Sequence, residues 1–112
     1  MLATTIKTHK IKPGESLYAI LDGYITKLTE NTIVAIASKI ASICENRIIN
    51  KNKNKTNLIR LESDLCFAAP PNTSNFHLTL KDNRLIPNAG IDESNCKNAY
   101  VLLPKNPQLT AK

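Results

Sequence analysis

The chain has few of the residues that mark several large protein classes. Its 112 residues contain no Trp, two Phe and three Tyr, so a hydrophobic core must be built mainly from Ile, Leu, Val and Ala. No apolar run approaches the roughly 20 residues of a membrane-spanning helix, and the first residues lack the apolar segment of a secretory signal. We therefore expect a globular cytoplasmic protein without a membrane segment.

Cysteine is also scarce. Cys44, Cys66 and Cys96 are odd in number and far apart, and they show neither metal-ligand spacing nor a disulfide pattern. Free thiols in a reducing compartment are the simplest expectation.

The positive charge is concentrated in one place. The formal net charge is +6, which invites a nucleic-acid interpretation. However, Arg47, Lys51, Lys53 and Lys55 lie in or beside a Lys- and Asn-rich stretch at residues 50–57. That stretch has no apolar periodicity and no interleaved aromatic residues to stack on bases. We expect a solvated loop and no nucleic-acid partner. A basic module for RNA or anionic lipid is supported by charge alone.

The length suits a single domain, residues 1–112, of the α+β class. We expect a mixed or antiparallel sheet with two short-to-medium helices. Alternation predicts a strand at residues 4–11, and a continuous β-branched run at residues 32–37 predicts a central strand covered on both faces. Between them, helical spacing places one apolar face on Leu17, Ile20, Leu21, Tyr24, Ile25 and Leu28.

Sequence patterns in the second half of the chain predict short helices and strands. Residues 56–64 have the pattern of a short helix. Residues 76–80 and 84–86 have the pattern of two strands that form a hairpin. Further strands are expected near residues 47–49, 66–69 and 99–103, and a first helical turn at residues 108–112. No internal repeat is visible.

Residues 88–95 read Asn-Ala-Gly-Ile-Asp-Glu-Ser-Asn. The small pair Ala89 and Gly90 would let the backbone approach another group closely. Asp92 and Asn95 offer the hard oxygen ligands that Mg²⁺, Ca²⁺ and Mn²⁺ prefer. The alternative is a plain strand–turn–strand connection, because the same residue types are common in turns.

Three blocks of the sequence resemble one family. Residues 88–95, followed by Tyr-Val-Leu-Leu-Pro-Lys-Asn-Pro at 100–107, resemble the signature of the coenzyme F(420) γ-glutamyl ligase family, which includes a branch ascribed to folate metabolism. Residues 8–17, Thr-His-Lys-Ile-Lys-Pro-Gly-Glu-Ser-Leu, resemble its opening, and residues 28–47 resemble its second block. The blocks appear in the family's order and cover most of the chain.

The resemblance implies an acid–amino-acid ligase. Such enzymes use GTP and a divalent ion, Mg²⁺ or Mn²⁺, to join the amine of L-glutamate to a carboxylate acceptor through an acyl phosphate. A deazaflavin coenzyme, a folate and an unrelated acid all fit as the acceptor. By motif, Asp92 matches the metal ligand, and no catalytic residue is assigned. The residues that match nucleotide contacts are Thr8, His9, Lys10, Ile11, Ser38, Lys39 and Asn95.

The sequence also departs from the family. Ile43 stands where the family has a Lys, Asn46 where it has a Gly, and Glu15 where it has an Asp, although Glu45 keeps the acid of the same motif. Family domains are considerably longer, and their second half supplies further metal ligands. The resemblance therefore implies an N-terminal half that binds nucleotide weakly at best and is inactive alone.

Two interpretations stay open at this point. The first is an enzyme part that needs its missing half or a partner. The second is a non-catalytic, truncated interaction module that keeps the fold and persists as a homodimer, as the intertwined dimers of the family suggest. An exposed apolar surface would favour association in either case.

Overall fold

The computed structural model describes residues 2–68, 76–93 and 98–112. The chain divides into two compact units, Met1–Arg47 with Pro104–Lys112, and Ile48–Leu103. The helices are α1 (Leu17–Tyr24), α2 (Ser38–Cys44), α3 (Lys55–Glu62) and α4 (Pro107–Thr110). The strands are β1 (Ile48–Asn50), β2 (Leu65–Cys66), β3 (Leu78–Lys81), β4 (Arg84–Pro87) and β5 (Ala99–Val101), with a 3₁₀ turn at Asn88–Gly90. The predicted α+β class is confirmed, with four helices and two small antiparallel sheets in the described residues.

The first unit is helical. The Ser16 hydroxyl caps α1 by accepting a hydrogen bond from the Ala19 N–H at 3.3 Å. The helix ends at Tyr24 because Ile25 takes an extended conformation, so it is shorter than the apolar pattern suggested. Leu17 and Ile20 are its buried residues.

The prediction of two strands in the first unit is wrong. Residues 4–11 and 32–37, all of them described, form no strand, and Ser38 begins α2 instead of following a sheet strand. The β-branched run is not covered on both faces, since Ile33 is 89% exposed and Val34 41% exposed. Apolar, β-branched composition favours an extended, half-buried surface, but a strand forms only when a partner strand supplies its hydrogen bonds.

The second unit holds both sheets. One sheet pairs β1 with β5, and the other has the order β2–β3–β4. The predicted hairpin is confirmed: β3 and β4 pair antiparallel and close with Lys81 opposite Arg84. Asp82 and Asn83 have φ of 50° and 61°, the left-handed pair that a tight hairpin turn requires.

Helix α3 confirms the helix predicted near residues 56–64. The Asn54 side chain caps it by accepting from the Asn57 N–H at 3.1 Å. Leu58, Tyr100 and Leu102 form the core of this unit, with Ile49 and Ile91 packed against them. The core is aliphatic apart from one tyrosine, as the composition requires.

Candidate functional site

The Asn88–Gly90 turn is conformationally unusual. Asn88, Ala89 and Gly90 have φ of 51°, 52° and 72°, three consecutive left-handed residues. A left-handed conformation costs an L-residue with a Cβ roughly 1–2 kcal/mol, so the surroundings must hold it. The Thr79 hydroxyl, fully buried, accepts from the Ala89 N–H at 2.8 Å, and the Asn88 side chain accepts from the His77 N–H at 2.8 Å. The segment is therefore more than a plain turn.

The small pair in this turn allows the close approach that the sequence predicted. Ala89 is 1% exposed. A Cβ built on Gly90 would lie 2.5 Å from Leu103 Cδ1 and 2.7 Å from its Cγ. Only glycine satisfies both the positive φ and the packing at this position.

After the turn, Asp92 lies beside β5 and pairs with Val101. The Asp92 N–H donates to the Val101 carbonyl at 2.9 Å, and the Val101 N–H returns a bond to the Asp92 carbonyl at 2.8 Å. Directly opposed residues of an antiparallel pair share a face, so Asp92 lies on the face of Val101. Ile48 pairs with Val101 in β1 and lies on that face too. Asp92 is half-buried and firmly placed by its backbone.

Glu93, next in the chain, is engaged by lysine. The Lys55 ammonium lies 2.9 Å from the Glu93 carboxylate. The hydrogen bond from Lys55, with its positive charge, lowers the pKa of Glu93, and the more distant Lys51 adds to the effect. Lys51 lies 5.8 Å above the centre of the Tyr100 ring. The Lys- and Asn-rich loop thus has two anchored lysines that the sequence did not reveal.

The described residues do not by themselves complete a divalent-cation site. In these ranges of the chain, no three His, Cys, Asp or Glu side chains gather where they could hold a metal. Asp92 has the right chemistry, but a hard cation takes about six oxygen ligands, so Asp92 would be one ligand among several. Asn95, the predicted nucleotide contact beside it, lies outside the described residues.

In the first unit, two of the predicted nucleotide-contacting residues, Thr8 and Ile11, lie at a cavity. The cavity measures about 290 Å³, and both Thr8 and Ile11 line it together with Ala37, which immediately precedes Ser38. Ser38 itself lines a larger cleft of about 620 Å³. The cleft and the cavity share the lining residues Leu17, Leu21, Ile25, Val34 and Ile36. Ser38 and Asp92, which the resemblance assigns to nucleotide and metal, belong to different units.

His9, one of the predicted nucleotide contacts, lies in a hydrogen-bonded network. Its Nε2 lies 2.8 Å from Glu15 Oε2, and its Nδ1 lies 2.9 Å from the Tyr24 hydroxyl. The His9 N–H donates to the same hydroxyl at 2.7 Å, and the Lys12 N–H donates to Glu15 Oε1 at 2.6 Å. The Lys12 N–H and His9 together lower the pKa of the Glu15 carboxyl. Lys10 is exposed beside this network.

Glu45 has a structural role that the sequence left undefined. One carboxylate oxygen accepts from the Lys105 N–H at 2.8 Å, and the other accepts from the Thr110 hydroxyl at 3.1 Å. Both partners belong to the segment that carries α4, which packs against α2. Ile43, where the family has a Lys, contributes its carbonyl to the Gly14 N–H at 3.0 Å. Lys39 follows Ser38 in the first turn of α2.

A family model described as F420-0:Gamma-glutamyl ligase matches residues 5–112. The chain belongs to the F420-0:gamma-glutamyl ligase family. Membership supports a γ-glutamyl ligase-like function within coenzyme biosynthesis. Neither the curated proteins nor the solved structures gave a significant match. None of the helices in the described parts of this ligase-family chain reaches the length and hydropathy needed to cross a membrane.

Proposed function

We propose that the chain is part of a GTP- and divalent-metal-dependent γ-glutamyl ligase. The acceptor carboxylate would attack the γ-phosphorus of GTP, forming an acyl phosphate and releasing GDP. The amine of L-glutamate would then attack the acyl carbon, form the amide bond and expel phosphate. A divalent ion would neutralise charge on the phosphates. The observation that carries the proposal is Asp92, held by its backbone after a strained turn within the family signature.

The proposed nucleotide contacts are Thr8, His9, Lys10, Ile11, Ser38, Lys39 and Asn95. The support in the first unit is the cavity that Thr8 and Ile11 line together with Ala35, Ile36 and Ala37 at the end of the apolar run. Asp92 would contribute one ligand to the Mg²⁺ or Mn²⁺ ion. Because the described residues supply no complete ligand set, we expect the isolated chain to bind GTP weakly and to make no product alone.

A metal-dependent binding experiment tests this function. We expect Mn²⁺ to strengthen GTP binding to the wild-type chain in calorimetry, and Asp92→Asn to remove that strengthening. Asp82→Asn is the matched control, because Asp82 lies in the hairpin turn of the same unit, where Asn adopts the same left-handed conformation. Equal Mn²⁺ dependence in wild type and Asp92→Asn would contradict the metal role.

An activity assay separates the enzyme from its alternative. The isolated chain, incubated with GTP, Mn²⁺, glutamate and a deazaflavin or folate acceptor, should yield no glutamylated product. Clear product would show that the chain is active alone. GTP binding without any dependence on Asp92 would favour the non-catalytic interaction module.

We also propose that the chain self-associates as a homodimer in the cytoplasm. The support for association is the exposed apolar surface of the first unit, where Leu28 is 59% and Ile33 89% exposed. The support for a reducing compartment is that Cys44 and Cys66 are free thiols. Sedimentation velocity should find a dimer, and Ile33→Lys should shift it toward monomer. Unchanged sedimentation of Ile33→Lys would contradict the use of this surface.

A further inference from the structure

His9 links two side chains through a continuous set of hydrogen bonds. The Tyr24 hydroxyl accepts from the His9 backbone N–H and also lies 2.9 Å from the imidazole Nδ1. The imidazole Nε2 lies 2.8 Å from the Glu15 carboxylate. The contacts therefore run from Tyr24 through His9 to Glu15.

The same two side chains also hold the backbone of this stretch. Tyr24 fixes the N–H of His9, and Glu15 fixes the N–H of Lys12. Tyr24 comes from the last turn of α1, and Glu15 lies just before its first turn. Residues 9–12 are thus clamped to the two ends of one helix. Such preorganisation strengthens ligand binding by removing the ordering cost from the binding step.

The cavity beside the clamp is uncharged. Of the described residues that line it, Thr8 and Tyr24 have polar side chains, and the others are apolar. A triphosphate would lose its hydration there without a compensating cation. An apolar cavity with a few placed hydroxyls is instead typical of sites that take the uncharged part of a ligand.

Resting on the proposed nucleotide-binding function, we infer that Glu15 and Tyr24 are positioning residues for nucleotide recognition. They hold residues 9–12 in place, and the adjoining cavity receives the uncharged nucleoside part of the nucleotide, while the phosphates stay outside it. Neither residue belongs to the set that the family signature assigns to nucleotide contact.

Calorimetric titration of three probes tests the inference: GTP, guanosine and inorganic tripolyphosphate. Loss of one hydrogen bond corresponds to about a five- to tenfold weakening of binding when both groups are neutral, and to at least about tenfold when one is charged, as at Glu15. We expect Tyr24→Phe and Glu15→Gln to weaken the binding of GTP and of guanosine by these factors. The affinity for tripolyphosphate should stay unchanged. Tyr18→Phe is the control, because Tyr18 lies on the same helix and is 63% exposed. Glu15→Asp should restore part of the affinity lost in Glu15→Gln.

A spectroscopic measurement separates positioning from general damage to the fold. In the ¹⁵N-labelled chain, two-bond proton–nitrogen correlations report on both ring nitrogens of His9, each of which has one hydrogen-bond partner. Tyr24→Phe and Glu15→Gln should each shift its ring nitrogens, and Tyr18→Phe should not. Unchanged guanosine affinity in both variants would overturn the inference. The proposed function would still stand in that case if the wild-type chain binds GTP. Equal weakening of tripolyphosphate would also overturn it. A wild-type chain that binds neither GTP nor guanosine would overturn both.

Discussion

The three glycines of the chain differ in what an added methyl group would meet. Gly23 has ordinary helical φ and nothing within 4 Å of a built Cβ. Gly14 has open space as well, but its φ is +81°. Gly90 combines a φ of +72° with a built Cβ only 2.5 Å from Leu103. Substitution by alanine therefore separates backbone strain from steric overlap within one chain.

The expected free energies follow from these three environments. Gly23→Ala should stabilise the first unit by about 0.5–1 kcal/mol, because alanine loses less backbone entropy in a helix. Gly14→Ala should destabilise it by about 1 kcal/mol, because left-handed strain exceeds the entropic gain. Gly90→Ala adds about 1–3 kcal/mol of overpacking to the strain and should cost the second unit about 2–5 kcal/mol. That loss is a large part of the stability of an ordinary domain.

Amide hydrogen exchange followed by mass spectrometry can measure these changes peptide by peptide. Peptides from residues 48–68 and 76–93 report on the second unit, and peptides from residues 2–47 on the first. The double variant Gly90→Ala/Leu103→Ala provides the control, because removing the Leu103 side-chain tip should relieve the overlap and give a favourable coupling energy. If Gly90→Ala lowered the free energy of unfolding no more than Gly14→Ala, the steric overlap with Leu103 would be contradicted.

Three further changes test individual hydrogen bonds. Asn54→Ala removes the cap of α3 and should cost about 1 kcal/mol in urea unfolding, whereas Asn54→Ser should be nearly neutral. Thr79→Val leaves the buried Ala89 N–H without its acceptor and should cost about 1–3 kcal/mol, and Thr79→Ser should retain most of the stability; equal losses would contradict the role of the hydroxyl. Because the folded pKa of Glu15 is lowered from 4.5, its contribution to stability is present above that pH and is lost as the pH falls through the lower folded value. Glu15→Gln should remove this part of the acid destabilisation measured between pH 5 and 2, and an unchanged profile would contradict it.

Local sequence signals predicted much of the second unit. The alternation of residues 76–80, the Asp-Asn pair and the following apolar strand are enough to define the hairpin, because a tight turn fixes its register. Helix α3 was predictable for the same reason, since its cap and its apolar spacing are adjacent in sequence. The expected close approach at Gly90 also followed from residue size alone.

Long-range features were not predictable from these signals. The run at residues 32–37 has strand composition, but composition does not reveal whether a partner strand is available. The bonds joining His9 to Tyr24, Lys55 to Glu93 and Glu45 to Thr110 span 15, 38 and 65 positions. No periodic pattern links residues so far apart, so the network around His9 and the anchored lysine became visible only in the structure.

The division of the chain has a consequence for the order in which it folds. The second unit is one continuous stretch whose two ends are joined by the pairing of Ile48 with Val101. The first unit is discontinuous, and its second segment, which bonds to Glu45 through Lys105 and Thr110, is synthesised after the whole of the second unit. During synthesis, the later-encoded unit can therefore complete its contacts before the earlier one. In a nascent chain stalled before Pro104, the second unit would be folded while the first unit still lacked its second segment.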